Sequence, residues 1–322
     1  MARWVTSFVV ALLASAPALS WAQPYPSRTV RLVVPFTPAG TTDLVARLVA
    51  QKLTESLGQP VVVENRPGAG GAIGVEVVAR APADGYTLVM GHIGTFGINP
   101  ALYPKLPYDP IKDFAPVTLV STVPNMLVVH PSLPVKNVRD LVALARSKPH
   151  GLNYGSGGIG AASHLAVELF KLLTKTDMLH IPYKGAGPFL PDLIAGQISL
   201  AITGVPSLLP SVKAGRLRAL AVGSAERLTL LPELPTIAEA GVPGYEATQW
   251  NGVLAPAGIR EEVRARLHAA ITAAMQTADA REQLARMGGV PFTSSPEEFT
   301  AYIKTEISRW SKVVKAAQLK PE

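Results

Sequence analysis

Short β-branched runs alternate with stretches of helical apolar spacing through nearly the whole chain, and this alternation restricts it to α/β folds built on largely parallel sheets. The first series opens with a strand at 29–34. A helix follows in which Val45, Val49, Leu53 and Leu57 recur every four residues, with Thr41, Thr42 or Asp43 able to cap it and Gly58 to end it. Further strands are expected at 61–63, 87–90, 117–121 and 126–129, with a helix at 71–79. A second series has helices at 138–146 and 163–173, the latter with a stripe of Leu165, Leu169 and Leu172, and strands at 152–154, 178–181 and 218–222. The Pro-rich segment 231–243 reads as a crossover to a strand at 250–254. Two long helices close the chain, one carrying Val263, Leu267 and Ile271, the other Phe299, Ile303, Trp310 and Val314, and both are expected to cover the first lobe.

A chain of 322 residues exceeds the usual size of one core, so the two series predict two lobes: 23–123 plus 247–322, and an inserted 124–246. Two crossings between lobes make a hinge that closes over a ligand. Residues 1–22 have one positive charge, Arg3, then an apolar stretch broken by Ser7, Ser15 and Pro17. They end in Ser20-Trp21-Ala22, the pattern of a cleavable secretory signal peptide, with a buried helix or a membrane anchor as the alternatives. No later segment has the run of about 18 apolar residues that a spanning helix needs, so a mature periplasmic protein is expected. The chain has no cysteine, so its core alone must stabilise it. The formal net charge is +7, of which the leader accounts for one, and a basic surface suits an anionic ligand or membrane face. Its lysines and arginines are scattered and no aromatic-basic motif occurs, which argues against nucleic acid.

Two Gly-rich loops at strand-to-helix junctions are candidate anion sites, because the first turn of a helix presents unpaired N–H groups at the positive end of its dipole. The first is Pro35-Phe36-Thr37-Pro38-Ala39-Gly40-Thr41-Thr42-Asp43. Its prolines stiffen the turn, Gly40 permits close backbone approach, and Thr41 and Thr42 add hydroxyls. The second runs from Tyr154 to His164 through Ser156, Gly157, Gly158, Ile159 and Gly160. An ordinary capped loop is the alternative for each. Gly155, Gly157 and Gly160 match the dinucleotide pattern, but the acidic residue that should end the next strand is absent, so no cofactor is expected. A secreted hydrolase is the weaker reading: Ser156 lacks the preceding glycine of a nucleophile elbow, and Ser163 and His164 are neighbours on one helix. The six histidines never pair at metal-ligand spacing, so no metal is expected, and lone His164 reads more readily as a hydrogen-bonded core or rim residue than as a ligand contact.

Further segments complete a resemblance: Val63-Glu64-Asn65-Arg66-Pro67-Gly68-Ala69-Gly70-Gly71, Ala83-Asp84-Gly85-Tyr86-Thr87-Leu88, Asn99-Pro100, Pro182-Tyr183-Lys184-Gly185 and Trp250-Asn251-Gly252 with Ala255-Pro256. With the two loops, they make the chain after residue 22 resemble the Bug-type (TctC-like) substrate-binding receptors of tripartite tricarboxylate transporters. The resemblance implies a two-lobed, type II periplasmic-binding-protein-like fold, a small organic-acid ligand in the cleft, and membrane transporter subunits as partners of a monomeric receptor that is not an enzyme. A sensor engaging a membrane signalling partner is the alternative. It implies that the loops at Phe36, Pro38, Ala39, Gly40, Thr41, Thr42 and Asp43, and at Ser156, Gly158, Ile159, Gly160 and His164, grip one carboxylate. It adds pocket positions at 92–96, including Thr95, and at Tyr183 and Thr203. Ala39 stands where the family usually has glycine, which is expected to bring a methyl group into the first loop. Arg66 and Lys184 have the charge of carboxylate partners, but in Pro/Gly-rich turns they read first as solvated, and Phe96, Phe189 and Trp250 are assigned to the core rather than to an aromatic slot.

Overall fold

Val33 faces one side of its strand and Leu32 and Val34 the other, and all three are fully buried, so helices must cover both faces of the sheet. The computed structural model describes residues 25–320, which leaves the expected leader at 1–22 outside the described residues. Strand β1 (Val30–Val34) leads through the first Gly-rich loop into α1 (Thr41–Leu57), which Gly58 ends in a left-handed conformation. Then come β2 (Val61–Asn65), a 3-10 turn at Ala69–Gly71, α2 (Ala72–Ala79), β3 (Thr87–His92), a π-helical turn at Ile93–Ile98 and the short α3 (Asn99–Leu102). Strand β4 (Phe114–Val129) is 16 residues long, where the sequence reading placed two separate strands. It pairs antiparallel with β9 (Thr248–Pro256) from Phe114 to Pro124, then with another strand from Asn125 onward, so one continuous strand serves both lobes.

The second lobe holds α4 (Val138–Ser147), β5 (Asn153–Ser156), α5 (Ala162–Thr174), β6 (Leu179–Pro182), α6 (Ala186–Ile194), β7 (Leu200–Gly204), α7 (Val205–Lys213) and β8 (Arg218–Val222). The chain returns through β9 to α8 (Glu261–Gln276), α9 (Ala278–Arg286), the short β10 (Val290–Pro291) and α10 (Pro296–Ala316). The strand order is β2-β1-β3-β9-β4-β7-β5-β6, with β8 and β10 also on β4. Pairs within each βα series are parallel, but β9 and β4 run antiparallel to their neighbours, so the expected parallel sheet is a mixed one.

Alternation sorts the core. On the first-lobe sheet, Leu32, Val34, Leu88 and Val253 pack under α1 and α8, while Val33, Val89 and Leu254 pack under α2 and α10 with Phe96, Trp250 and Phe299. In the second lobe Leu127 and Val129 face α4 and α5, and Met126 and Val128 face α6 and α7 with Phe189. Phe96, Phe189 and Trp250 are thus core residues, as the sequence reading assigned them. Helices α6 and α7 escaped that reading because they contain Pro191 and Pro210, residues that normally argue against a helix interior. Ala162 and Leu165 of α5 join the core of the first lobe, so the two lobes touch across the cleft.

Candidate functional site

Three helices open their N-termini on one chamber between the lobes and a fourth starts beside it, and none of the four is capped by a side chain. The N-cap residues are Gly40 for α1, Ala161 for α5, Gly185 for α6 and Gly204 for α7. By contrast α4, α9 and α10, whose N-termini lie elsewhere, are capped by Asn137, Thr277 and Ser295; α8, starting at exposed Arg260, and the short α2 and α3 are uncapped as well. Gly40, Ala161 and Gly185 line a chamber of about 40 Å³, together with Phe36, Thr41, Thr42, His92, Gly157, Ala162, Ser163, Thr203 and Gln249. A volume of that order holds roughly three waters, or one carboxylate group. The wall has no acidic residue and no lysine or arginine, so its positive potential comes from unpaired N–H groups and helix dipoles.

The first loop is held by one carboxylate. Asp43 Oδ2 accepts the Ala39 N–H at 2.9 Å and Arg47 Nε at 2.9 Å, and Oδ1 accepts Asn65 Nδ2 at 2.9 Å. Asn65 Nδ2 also donates to the Phe36 carbonyl at 3.0 Å, which ties β2 to the loop. With Asp43 so engaged and the Thr41 hydroxyl 3.3 Å from that of Ser207, no side chain competes for the first-turn N–H groups. Ala39 adopts φ +64°, the left-handed region that favours glycine, and is exposed, so its methyl group belongs to the loop and does not line the chamber.

The second loop is held by neutral groups. Ser163 Oγ accepts the Gly157 N–H at 2.9 Å and His164 Nδ1 accepts the Gly160 N–H at 3.3 Å. Ser156 Oγ accepts the Gly158 N–H at 3.1 Å and lies 2.6 Å from His180 Nε2. The imidazoles of His164 and His180 stack face to face at 4.1 Å, and Tyr154 stacks on His180 at 4.8 Å. Burial lowers His164 to a pKa of about 4 and, helped by the neighbouring His164, lowers His180 to about 3. The Ser156–His180 contact has the look of a nucleophile and base. However, Ser156 is fully buried, and among the described residues no carboxylate hydrogen-bonds His180 to orient it.

One end of the chamber is polar and belongs to the crossing strands. His92 Nδ1 accepts the Gly94 N–H at 3.1 Å, and burial lowers its pKa to about 4, so the neutral ring carries its proton on Nε2. That nitrogen lies 2.8 Å from Gln249 Oε1 and therefore donates to it. Outside the chamber, a vestibule of about 350 Å³ shares Phe36 and Gly157 with it and is lined further by Pro35, the Gly68–Gly71 turn, Tyr103, Gly158, Ile159 and Pro182–Lys184.

Of the positions expected from sequence, Phe36, Gly40, Thr41, Thr42 and Thr203 line the chamber, and Gly158, Ile159 and Tyr183 line the vestibule. Pro38 and Ala39 are exposed and line neither space, with the Pro38 carbonyl close to Gly187 of the second lobe. Asp43, Thr95, Ser156, Gly160 and His164 stand behind the walls; Thr95 Oγ1 bonds the His92 backbone at 3.1 and 3.3 Å. Lys184 lines the vestibule, whereas Arg66 turns to Glu64 at 2.6 Å. Gln249 is the chamber residue that no motif flagged. Its one available signal is a buried uncharged amide near the start of a strand whose second half is apolar.

The described helices include none long and apolar enough to cross a membrane. Residues 45–319 match the family model described as "Tripartite tricarboxylate transporter family receptor". Protein BugT of Bordetella pertussis is 39% identical over 295 residues, covering 91% of this chain and 90% of that protein. Among solved structures, R. palustris Rpa4515 with adipate superposes with a TM-score of 0.90 at 43% identity, covering 92% of this chain and 100% of that one. MatC from Rhodopseudomonas palustris with bound malate gives 0.86 at 37% identity, covering 90% and 100%.

Proposed function

Because the chain belongs to the tripartite tricarboxylate transporter receptor family, we propose that it captures a small organic acid in the periplasm and delivers it to membrane transporter subunits. The observation that carries this reading is the convergence of three uncapped helix N-termini, with a fourth beside them, on a chamber with no competing charge. An anionic carboxylate there replaces water on several N–H groups and threonine hydroxyls drawn from both lobes. Charge-assisted hydrogen bonds contribute about 1.5–3 kcal/mol each. Three or four of them, after the entropy of association, support micromolar binding, which needs about 8 kcal/mol net. Donors from both lobes make the closed form the better binder, and that difference in affinity drives closure.

In this reading Phe36, Gly40, Thr41, Thr42, Gly157, Ala161–Ser163, Gly185 and Thr203 contact the inner carboxylate, and the vestibule takes the rest of the ligand. Residues 1–22 are removed on export, the mature chain works as a monomer, and the lobes 23–123 plus 247–322 and 124–246 close about the two crossings. The protein performs no catalysis; Ser156 and His180 shape the second loop. A thermal-shift panel of C4 to C6 di- and tricarboxylates, acidic amino acids and benzoate-type acids tests this. A rise in Tm with one class supports capture. Hydrolysis of an ester or peptide, with no acid bound, contradicts it.

A further inference from the structure

Gln249 lies where the two lobes join, and its hydrogen bonds can be followed donor by donor. His92 Nε2–H donates to Gln249 Oε1, which fixes the amide so that Nε2 points the other way. Gln249 Nε2 donates to Asn125 Oδ1 at 2.5 Å, and Asn125 Nδ2 donates to the Ala247 carbonyl at 2.9 Å. His92 ends β3 of the first lobe; Gln249 pairs with Val123 on the first-lobe part of β4; Asn125 pairs with Gly204 on the second-lobe part. The chain of bonds therefore spans the hinge: His92 and Gln249 on one side, Asn125 on the other. All three residues are at most 4% exposed. An amide nitrogen has two hydrogens, and the second hydrogen of Gln249 Nε2 has no acceptor among the described residues, although Gln249 lines the chamber.

We infer that Gln249 is a ligand-contacting donor, giving its second amide hydrogen to the carboxylate, and that Asn125 is a positioning residue that makes this donor available when the lobes are closed. The inference rests on reading the chamber as a carboxylate site, and adds how that site senses closure. Opening at Pro124 and Asn125 separates Asn125 from Gln249, and the amide then keeps His92 on its oxygen but loses the acceptor that holds its nitrogen. Ligand and closure thus favour each other, because each fixes the same amide.

The test uses the mature chain, which has no cysteine, so spin labels placed through Val77→Cys and Leu179→Cys on exposed positions of the two lobes report the interlobe distance alone. Adipate and malate are the ligand probes. Gln249→Glu keeps the acceptor for His92 but replaces the donor with a carboxylate; its affinity is expected to fall at least about thirtyfold, with Tm within a few degrees of wild type. Asn125→Ala is expected to move the ligand-free distance distribution toward longer values and to weaken binding about tenfold. A smaller partial loss in Gln249→Asn, whose shorter amide keeps the donor, separates a contact from a merely structural role. Wild-type affinity in Gln249→Glu overturns the donor, and an unchanged ligand-free distribution in Asn125→Ala overturns the hinge link. If the wild type binds neither probe nor any acid of the panel, the carboxylate reading and the donor fall together, while the distance distribution still decides the hinge link.

Discussion

In the loop between β1 and α1, the Ala39 N–H, Arg47 and Asn65 all converge on the carboxylate of Asp43. The loop between β5 and α5 has the same task, presenting uncapped N–H groups to the chamber, yet no charge fixes it. Ser163, Ser156 and His164 hold its N–H groups through neutral oxygens and an imidazole, and His180 bonds the Ser156 hydroxyl in turn. The difference follows from what stands behind each loop. Arg47, half-exposed at the surface, balances Asp43. Behind the second loop the rings of Tyr154, His180 and His164 stack within the lobe, where a charged ring loses its hydration. Two loops with one task therefore depend on different chemistry, and should fail under different conditions.

Removing the charge is the severest way to break the first loop. In Asp43→Ala the Ala39 N–H and Asn65 lose their acceptor and the left-handed Ala39 loses the bond that holds it, so about 3 kcal/mol of stability should go. Carboxylate affinity should fall about a hundredfold, read by urea melts and calorimetry, while the second loop keeps its amide protection. Equal loss of protection in both loops would erase the distinction.

Acid should strike the second loop first. His164 and His180 titrate near 4 and 3 when folded, against about 6.5 when unfolded, so between those values the unfolded state binds more protons. Stability is therefore highest above pH 6.5 and falls as pH drops toward 4. At pH 5 the cost is about 2 kcal/mol at most for His164, and less for the partly exposed His180. His92 adds a similar slope at the crossing. Melting curves from pH 7.5 to 4.5 should flatten in His180→Asn, with amides 156–164 losing protection before amides 35–43. An unaltered slope would remove the histidine stack from the account.

The smallest effect belongs to Ala39→Gly. It relieves a left-handed alanine but frees the unfolded chain, so stability should rise by under about 1 kcal/mol. Affinity should stay within about twofold, because the methyl group is exposed. A large change in affinity would put that side chain in the chamber after all.

Much of this was legible because period-2 and period-3.6 apolar patterns survive wherever a strand or helix has a covered face. Val45, Val49, Leu53 and Leu57 mark α1, and the strands of the first lobe are read from their β-branched runs. The prolines of α6 and α7 hid those helices, and the junction at Pro124 concealed that β4 continues into the second lobe. Both Gly-rich loops were found from glycine and threonine at strand-to-helix junctions. Sequence did not separate residues facing the chamber from those bracing it. Asp43 and His164 stand in the motifs, yet both turn their polar atoms to loop backbone. Gln249 was illegible because its role comes from partners 157 and 124 residues away.

Calorimetric titration of the chain lacking residues 1–22 with adipate, and then with adipamide, tests the central claim most directly. The two share a carbon skeleton and differ in charge and in acceptor strength at the ends. Uncapped helix N-termini around an uncharged wall predict micromolar binding of a carboxylate and at least about a hundredfold weaker binding of its diamide. Should every acid that binds be matched in affinity by its amide, the chamber does not read charge through helix N-termini, and the account fails.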